Sequence, residues 1–125
     1  LEQALRGIRR GRLRKALRED EMQMAHERLD VYKVALEVGR WTLRSRWPRG
    51  TSDLKNQAVR ASASVALNIA EGSLRRGKAQ THHFEIARGS AAETLTVLQL
   101  VDLPGGEAQQ HNLRRIDRML QKLGG

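Results

Sequence analysis

At 125 residues, 39% of them hydrophobic, the chain has the length of one domain with a single core, and its net charge of +9 makes polyanions the first partners to expect. The absence of cysteine excludes a disulfide framework, thiol catalysis and thiolate metal sites. No apolar run reaches the length of a membrane span and no segment has the apolar centre of a secretory signal, so a soluble, cytoplasmic protein with no membrane partner is expected.

Leu1 rather than Met opens the chain, and Met22 and Met24 lie just before the first clear amphipathic pattern. Residues 1–21 are therefore read as a basic extension, helical or disordered, ahead of a helical bundle over residues 22–125. Its cations, Arg6 to Arg18, suit an arm that tracks phosphates or a solvated tail.

A first helix is expected over about residues 26–46. Leu29, Tyr32, Leu36, Gly39 and Leu43 follow steps of three and four, and Ala35, Val38 and Thr42 widen that stripe into a core-facing band. Trp41 lies at the band's edge as a packing anchor, within the subunit or between subunits. Trp47-Pro48-Arg49-Gly50 reads as a turn, because the residue before a proline is pushed out of the α region; Thr51 or Ser52 should cap the second helix.

That second helix, about 53–71, carries Leu54, Ala58, Ala61, Val65, Asn68 or Ile69, and Gly72 on one face. The third, about 78–102, carries Phe84, Ala87, Ala91, Leu95 or Thr94, Leu98 and Val101. The short link between them predicts an antiparallel hairpin in which residue numbers summing to roughly 152 or 153 lie level. That register sets Arg60 opposite Glu93, and Ala63 opposite Gly89, where a missing side chain would let two backbones approach. Leu103-Pro104-Gly105-Gly106 breaks the third helix, and a fourth is expected over about 107–123 with Leu113, Ile116, Leu120 and Leu123 as its seam. The expected fold is all-α, an antiparallel up-down four-helix bundle.

Catalytic patterns do not survive inspection. Gly72-x-x-x-x-Gly77-Lys78 has the glycines and lysine of a phosphate loop, but Ala79 stands where the magnesium-holding hydroxyl belongs and a helix precedes it in place of a strand. His82 and His83 are adjacent and point to different helix faces, with no third metal ligand correctly spaced; Ser64, Ser90 and His111 lie in no nucleophile motif. No enzyme, cofactor or metal is expected. Asn68 and Glu71 read as polar residues that fix helix register, with Arg88 a partner from the third helix opposite Ser64. The remaining functional candidates are basic: Arg40 and Arg44 one turn apart, Arg75, Arg76 and Lys78 at the second link, and Arg115, Arg118 and Lys122 on one side of the fourth helix.

Several words recur together in one order: Leu29-x-Val31-Tyr32, Pro48, Leu54-x-x-Gln57-x-x-Arg60-Ala61, Ser64-Val65-x-x-Asn68-Ile69-Ala70-Glu71-Gly72, and Phe84-x-x-Ala87-Arg88-Gly89-Ser90-x-x-Glu93. In these the chain resembles the small bacterial four-helix bundle proteins encoded in intervening sequences of 23S ribosomal RNA genes, which are similar to the accessory variability determinant of diversity-generating retroelements. It departs from the family pattern at Ala66, where proline is usual, and in a short, glycine-rich link to the fourth helix. The resemblance implies a homo-oligomer, typically a pentameric ring with a basic surface, and, by the retroelement relatives, nucleic acid and a reverse transcriptase as partners. Two functions are expected: a non-enzymatic oligomeric scaffold that binds RNA or DNA backbone with little sequence preference, or a purely structural or protein-interaction module whose charge serves solubility or docks an acidic protein partner.

Overall fold

The computed structural model describes residues 11–12, 14–15 and 22–124. Gly11, Arg12, Arg14 and Lys15 are helical, and the rest of the basic N-terminal extension lies outside the described residues. A 3-10 turn, Ala25–Arg28, leads into four helices: α1 (Asp30–Arg44), α2 (Ser52–Ser73), α3 (Gly77–Leu100) and α4 (Gly106–Gly124). The first helix thus begins four residues later than the position 26 expected from its periodicity. Met24 and Glu27 bond reciprocally through Glu27 N–H to the Met24 carbonyl (3.0 Å) and Met24 N–H to Glu27 Oε1 (3.4 Å), closing a separate turn. Leu29 then adopts extended backbone, and Asp30 starts α1 with a carboxylate at the positive end of its dipole.

Each helix packs on its two neighbours in a closed square, α1 on α2, α2 on α3, α3 on α4 and α4 on α1, with no diagonal contact among the described residues. Every neighbouring pair is antiparallel. Asn68 meets His83 while Ser64 meets Ser90; Arg88 meets Asp117 while Gln110 reaches the Leu98 carbonyl; Glu37 meets Asn112 while Trp41 lies over Gly105. This is the up-down bundle that the short links imply.

The core is built from Val31, Ala35 and Val38 of α1, Val65 and Ile69 of α2, Phe84, Ala87, Ala91 and Leu98 of α3, and Leu113, Ile116 and Leu120 of α4. Burying each of the larger aliphatic side chains contributes about 1.5–3 kcal/mol. The ambiguities of the periodicity are resolved: Ile69 is fully buried and Asn68 is not, and Thr94 takes the core position in preference to Leu95. Leu43 and Leu123, expected in their seams, are exposed.

Small side chains at the α1–α2 crossing admit a buried polar contact. Thr42 and Ser62, both almost wholly enclosed, share a hydrogen bond of 2.9 Å, and Thr42 Oγ1 also donates to the Gly39 carbonyl at 2.8 Å. Each hydroxyl therefore has a partner, as burial requires. Thr51 occupies the N-cap position of α2, but its backbone (φ −109°, ψ 19°) is not the extended form of a side-chain cap, and its hydroxyl donates to the Pro48 carbonyl at 2.5 Å.

The close approach expected at Gly89 is found elsewhere. A Cβ at Gly89 would meet nothing within 4 Å, whereas one at Gly72 would stand 2.7 Å from the Phe84 ring. Gly72 is the residue that lets α2 settle against the large buried aromatic of α3; Gly89 is on the solvent side of its helix. Gly105 has φ +83°, a left-handed turn at the start of α4, and Trp41 Nε1 lies 3.2 Å from where its Cβ would be. Trp41 is thus a packing anchor within the subunit, seated on the glycine-rich break.

Candidate nucleic-acid interface

Three surfaces carry the chemistry. The first is a groove of about 290 Å³ between α1 and α2, lined almost entirely by carbon: Tyr32, Leu36 and Leu43 from α1, and Ala63, Ala66 and Leu67 from α2. Leu43 is 61% exposed and Leu67 68% exposed. Arg40 stands on its rim. The small residues that define the second helix leave its outer face shallow, so the neighbouring leucines project over a concave apolar floor.

The second surface is the α2–α3 seam. Asn68 Nδ2 donates to the Ser64 carbonyl (2.9 Å) and to Ser64 Oγ (3.1 Å), and Ser90 Oγ donates to Ser64 Oγ (2.8 Å). A backbone carbonyl only accepts, so the amide orientation is set and Asn68 Oδ1 faces His83 Nδ1 at 3.0 Å. The imidazole must carry its proton on Nδ1, leaving Nε2 as the free ring nitrogen when the histidine is neutral. At the end of the seam Arg75 binds Glu71, and this hydrogen bond first, then the Arg75 charge, then the nearby His83, hold the Glu71 carboxyl below the ordinary carboxylate value. Arg76 precedes α3 and Lys78 is its second residue, and the first turn contains no acidic residue, so cations gather at the positive end of that helix dipole.

The third surface is a groove of about 440 Å³ between α3 and α4. It is lined by Arg88, Ala91, Ala92 and Leu95 from α3 and by Arg114 and Arg118 from α4. Asp117 is the carboxylate among them: Oδ1 accepts from Arg88 Nε at 2.7 Å and Oδ2 from Gln121 Nε2 at 2.9 Å. No ion pair is formed by Arg114 or Arg118 among the described residues.

The positions expected from sequence are redistributed accordingly. Arg88 is not the partner of Asn68 and Glu71: it points away from α2, because residues 88 and 90 lie 200° apart around a helix and Ser90 holds the side facing Ser64. Arg60 and Glu93 are both exposed and no ion pair joins them, although the register that placed them level is correct to about one residue at Asn68–His83 and Ser64–Ser90. Arg40 and Arg44 are exposed on α1. Arg118 lines the α3–α4 groove, Lys122 lines the cleft between α1 and α4, and Arg115 donates to Asn112, so the fourth helix fans its cations across its whole outer surface. Sequence reasoning misses Arg114 and Asp117; their signal is the 114, 117, 118, 121 spacing, which stacks one polar row along a single helix.

Among the described residues, no three His, Asp or Glu side chains come together as a metal site, and no helix is long and apolar enough to cross a membrane. The Gly72–Lys78 segment is a helix end followed by a three-residue link into α3, not a strand-to-helix phosphate loop.

A family model described as 23S rRNA-intervening sequence protein matches residues 27–123, which covers the four helices almost end to end. A comparison with curated proteins finds no match. The chain belongs to the 23S rRNA-intervening sequence protein family.

Proposed function

We propose, with membership of that family as the premise, that this chain is a non-enzymatic, homo-oligomeric scaffold that binds RNA through its phosphate backbone with little base preference. What carries the reading is the division of the surface. Exposed arginines and lysines crowd α4 and the α2–α3 link, while the carbon-lined groove of α1 and α2 holds two exposed leucines. Repeating that division around a closed assembly buries the apolar face and sums the cationic ones into a continuous field. With aromatic residues at only 3% of the chain, base stacking has few platforms, and phosphate contacts dominate.

The test is a salt titration of mixed-sequence RNA binding, read by fluorescence anisotropy of labelled RNA. Log affinity should fall linearly with log salt, with a slope of about 0.7 for each single-strand phosphate engaged. A second reading, a protein-interaction module without nucleic acid, draws its support from the α1–α2 groove alone. Absent or salt-independent RNA binding would select it.

A further inference from the structure

We infer that the groove between α3 and α4 is a phosphate-tracking site for single-stranded RNA, in which Asp117 holds the place of a phosphate until the strand displaces it. This rests on the RNA-binding reading above and assigns it a location and a switch.

Arg114 and Arg118 are one helical turn apart, a rise of about 6 Å, so their guanidinium groups can follow a linear polyanion along the groove. Arg88 comes from α3 across the groove, and its Nε donates to Asp117 Oδ1 at 2.7 Å. Asp117 Oδ1 gives Arg88 Nε an anionic oxygen, as a phosphate would, while its Oδ2 accepts from Gln121, so the carboxylate holds Arg88 through one bond that a phosphate oxygen can replace. The Arg88–Asp117 pair is about two-fifths exposed on both sides (41% and 42%), the range in which an ion pair contributes little stability and exchanges readily. Three arginines against one carboxylate leave an excess of two positive charges in the groove. The lining of Ala91, Ala92 and Leu95 offers apolar surface on which ribose and base can rest beside guanidinium faces, which suits a nucleotide chain better than a carboxylate-rich peptide.

The experiment uses the full chain and fluorescein-labelled oligo(U) across a range of salt. Arg114→Gln/Arg118→Gln should bind roughly tenfold more weakly than the charge-matched control Arg46→Gln/Arg49→Gln, and flatten the salt slope by about 1.4, two phosphates at 0.7 each. Asp117→Asn frees Arg88: it should tighten binding several-fold and steepen the slope by about 0.7. Glu107→Gln adds the same charge about 15 Å away along α4 and should leave the slope unchanged. Far-UV circular dichroism checks that each variant keeps its helices. If the groove pair and its control weaken binding equally, or Asp117→Asn does not tighten it, the groove assignment is overturned while RNA binding by the scaffold stands. No binding by the unaltered chain overturns the parent reading and this one together. Displacement of oligo(U) by polyglutamate as readily as by unlabelled oligo(U) overturns it in favour of an acidic protein partner.

Discussion

The α1–α2 and α3–α4 grooves lie on opposite flanks of one square bundle, each between antiparallel neighbours, yet they differ in almost everything a partner would sense. The first presents leucine and alanine with one arginine on its rim; the second presents three arginines around an already engaged carboxylate. Both flanks leave the interior intact, because the residues that distinguish them lie outside the buried set. A bundle of this kind therefore separates holding itself together from meeting its partners, and it does so by what it places one position round each helix from the core. Under the proposed function, self-association is assigned to the first flank and polyanion binding to the second.

The strongest way to break that assignment is Leu43→Glu/Leu67→Glu. Each leucine would bury about 1.5–3 kcal/mol of apolar surface in an assembly, so the pair should weaken association by roughly a hundredfold or more while the fold survives. Analytical ultracentrifugation reads this directly. Arg114→Gln/Arg118→Gln should leave the assembly unchanged; if it dissociates, or if the leucine variant does not, the two flanks have been assigned wrongly.

Next in size is a pair of glycines on the same hairpin. Gly72→Ala drives a methyl into the Phe84 ring, and should cost about 1–3 kcal/mol in chemical denaturation. Gly89→Ala points into open space on a helix and should gain about 0.5–1 kcal/mol. Equal effects would mean that the α2–α3 contact is not governed by the Phe84 ring.

Asn68→Leu tests the seam between the flanks. It leaves His83 Nδ1 without its acceptor and removes the amide's bonds to the Ser64 carbonyl and hydroxyl, and should lower stability by about 1–2 kcal/mol. Nitrogen-15 NMR should find His83 protonated on Nδ1 in the unaltered protein at alkaline pH and shifted toward the Nε2 form in the variant. The same tautomer in both would remove Asn68 as the group that sets the ring.

The smallest effect is expected at Glu71→Gln. Arg75 lowers the Glu71 carboxyl in the folded state, so the contribution to stability is present above the carboxylate range and is lost as pH falls through it. The two proteins should differ slightly at neutral pH and converge in acid; a gap that widens on acidification would contradict the assigned pair.

Much of this architecture was legible before any coordinates. Pro48, the Ser73–Gly77 link and Leu103-Pro104-Gly105-Gly106 punctuate the chain where the helices break, because proline and glycine act locally. The α2–α3 register was legible too, since a short link permits little slippage. Arg88 was misplaced because partners on a helix depend on rotation as well as level: a shift of two residues carried it from α2 to α4. Spacing alone could set Asp117 in a polar row on α4 but could not pair it, since its partner lies on another helix far away in sequence.

By itself the sequence determined four amphipathic helices, their order, their antiparallel links and a cationic exterior, all properties of short-range pattern. It could not determine which half of a broad apolar band faces inward. On α1 the run Leu36, Gly39, Leu43 and the run Ala35, Val38, Thr42 are one residue, or 100°, apart, and either could form a core. Only packing against the other helices chose the second, since the branched and small residues fit the closed interior, and left Leu36 and Leu43 to line an outer groove.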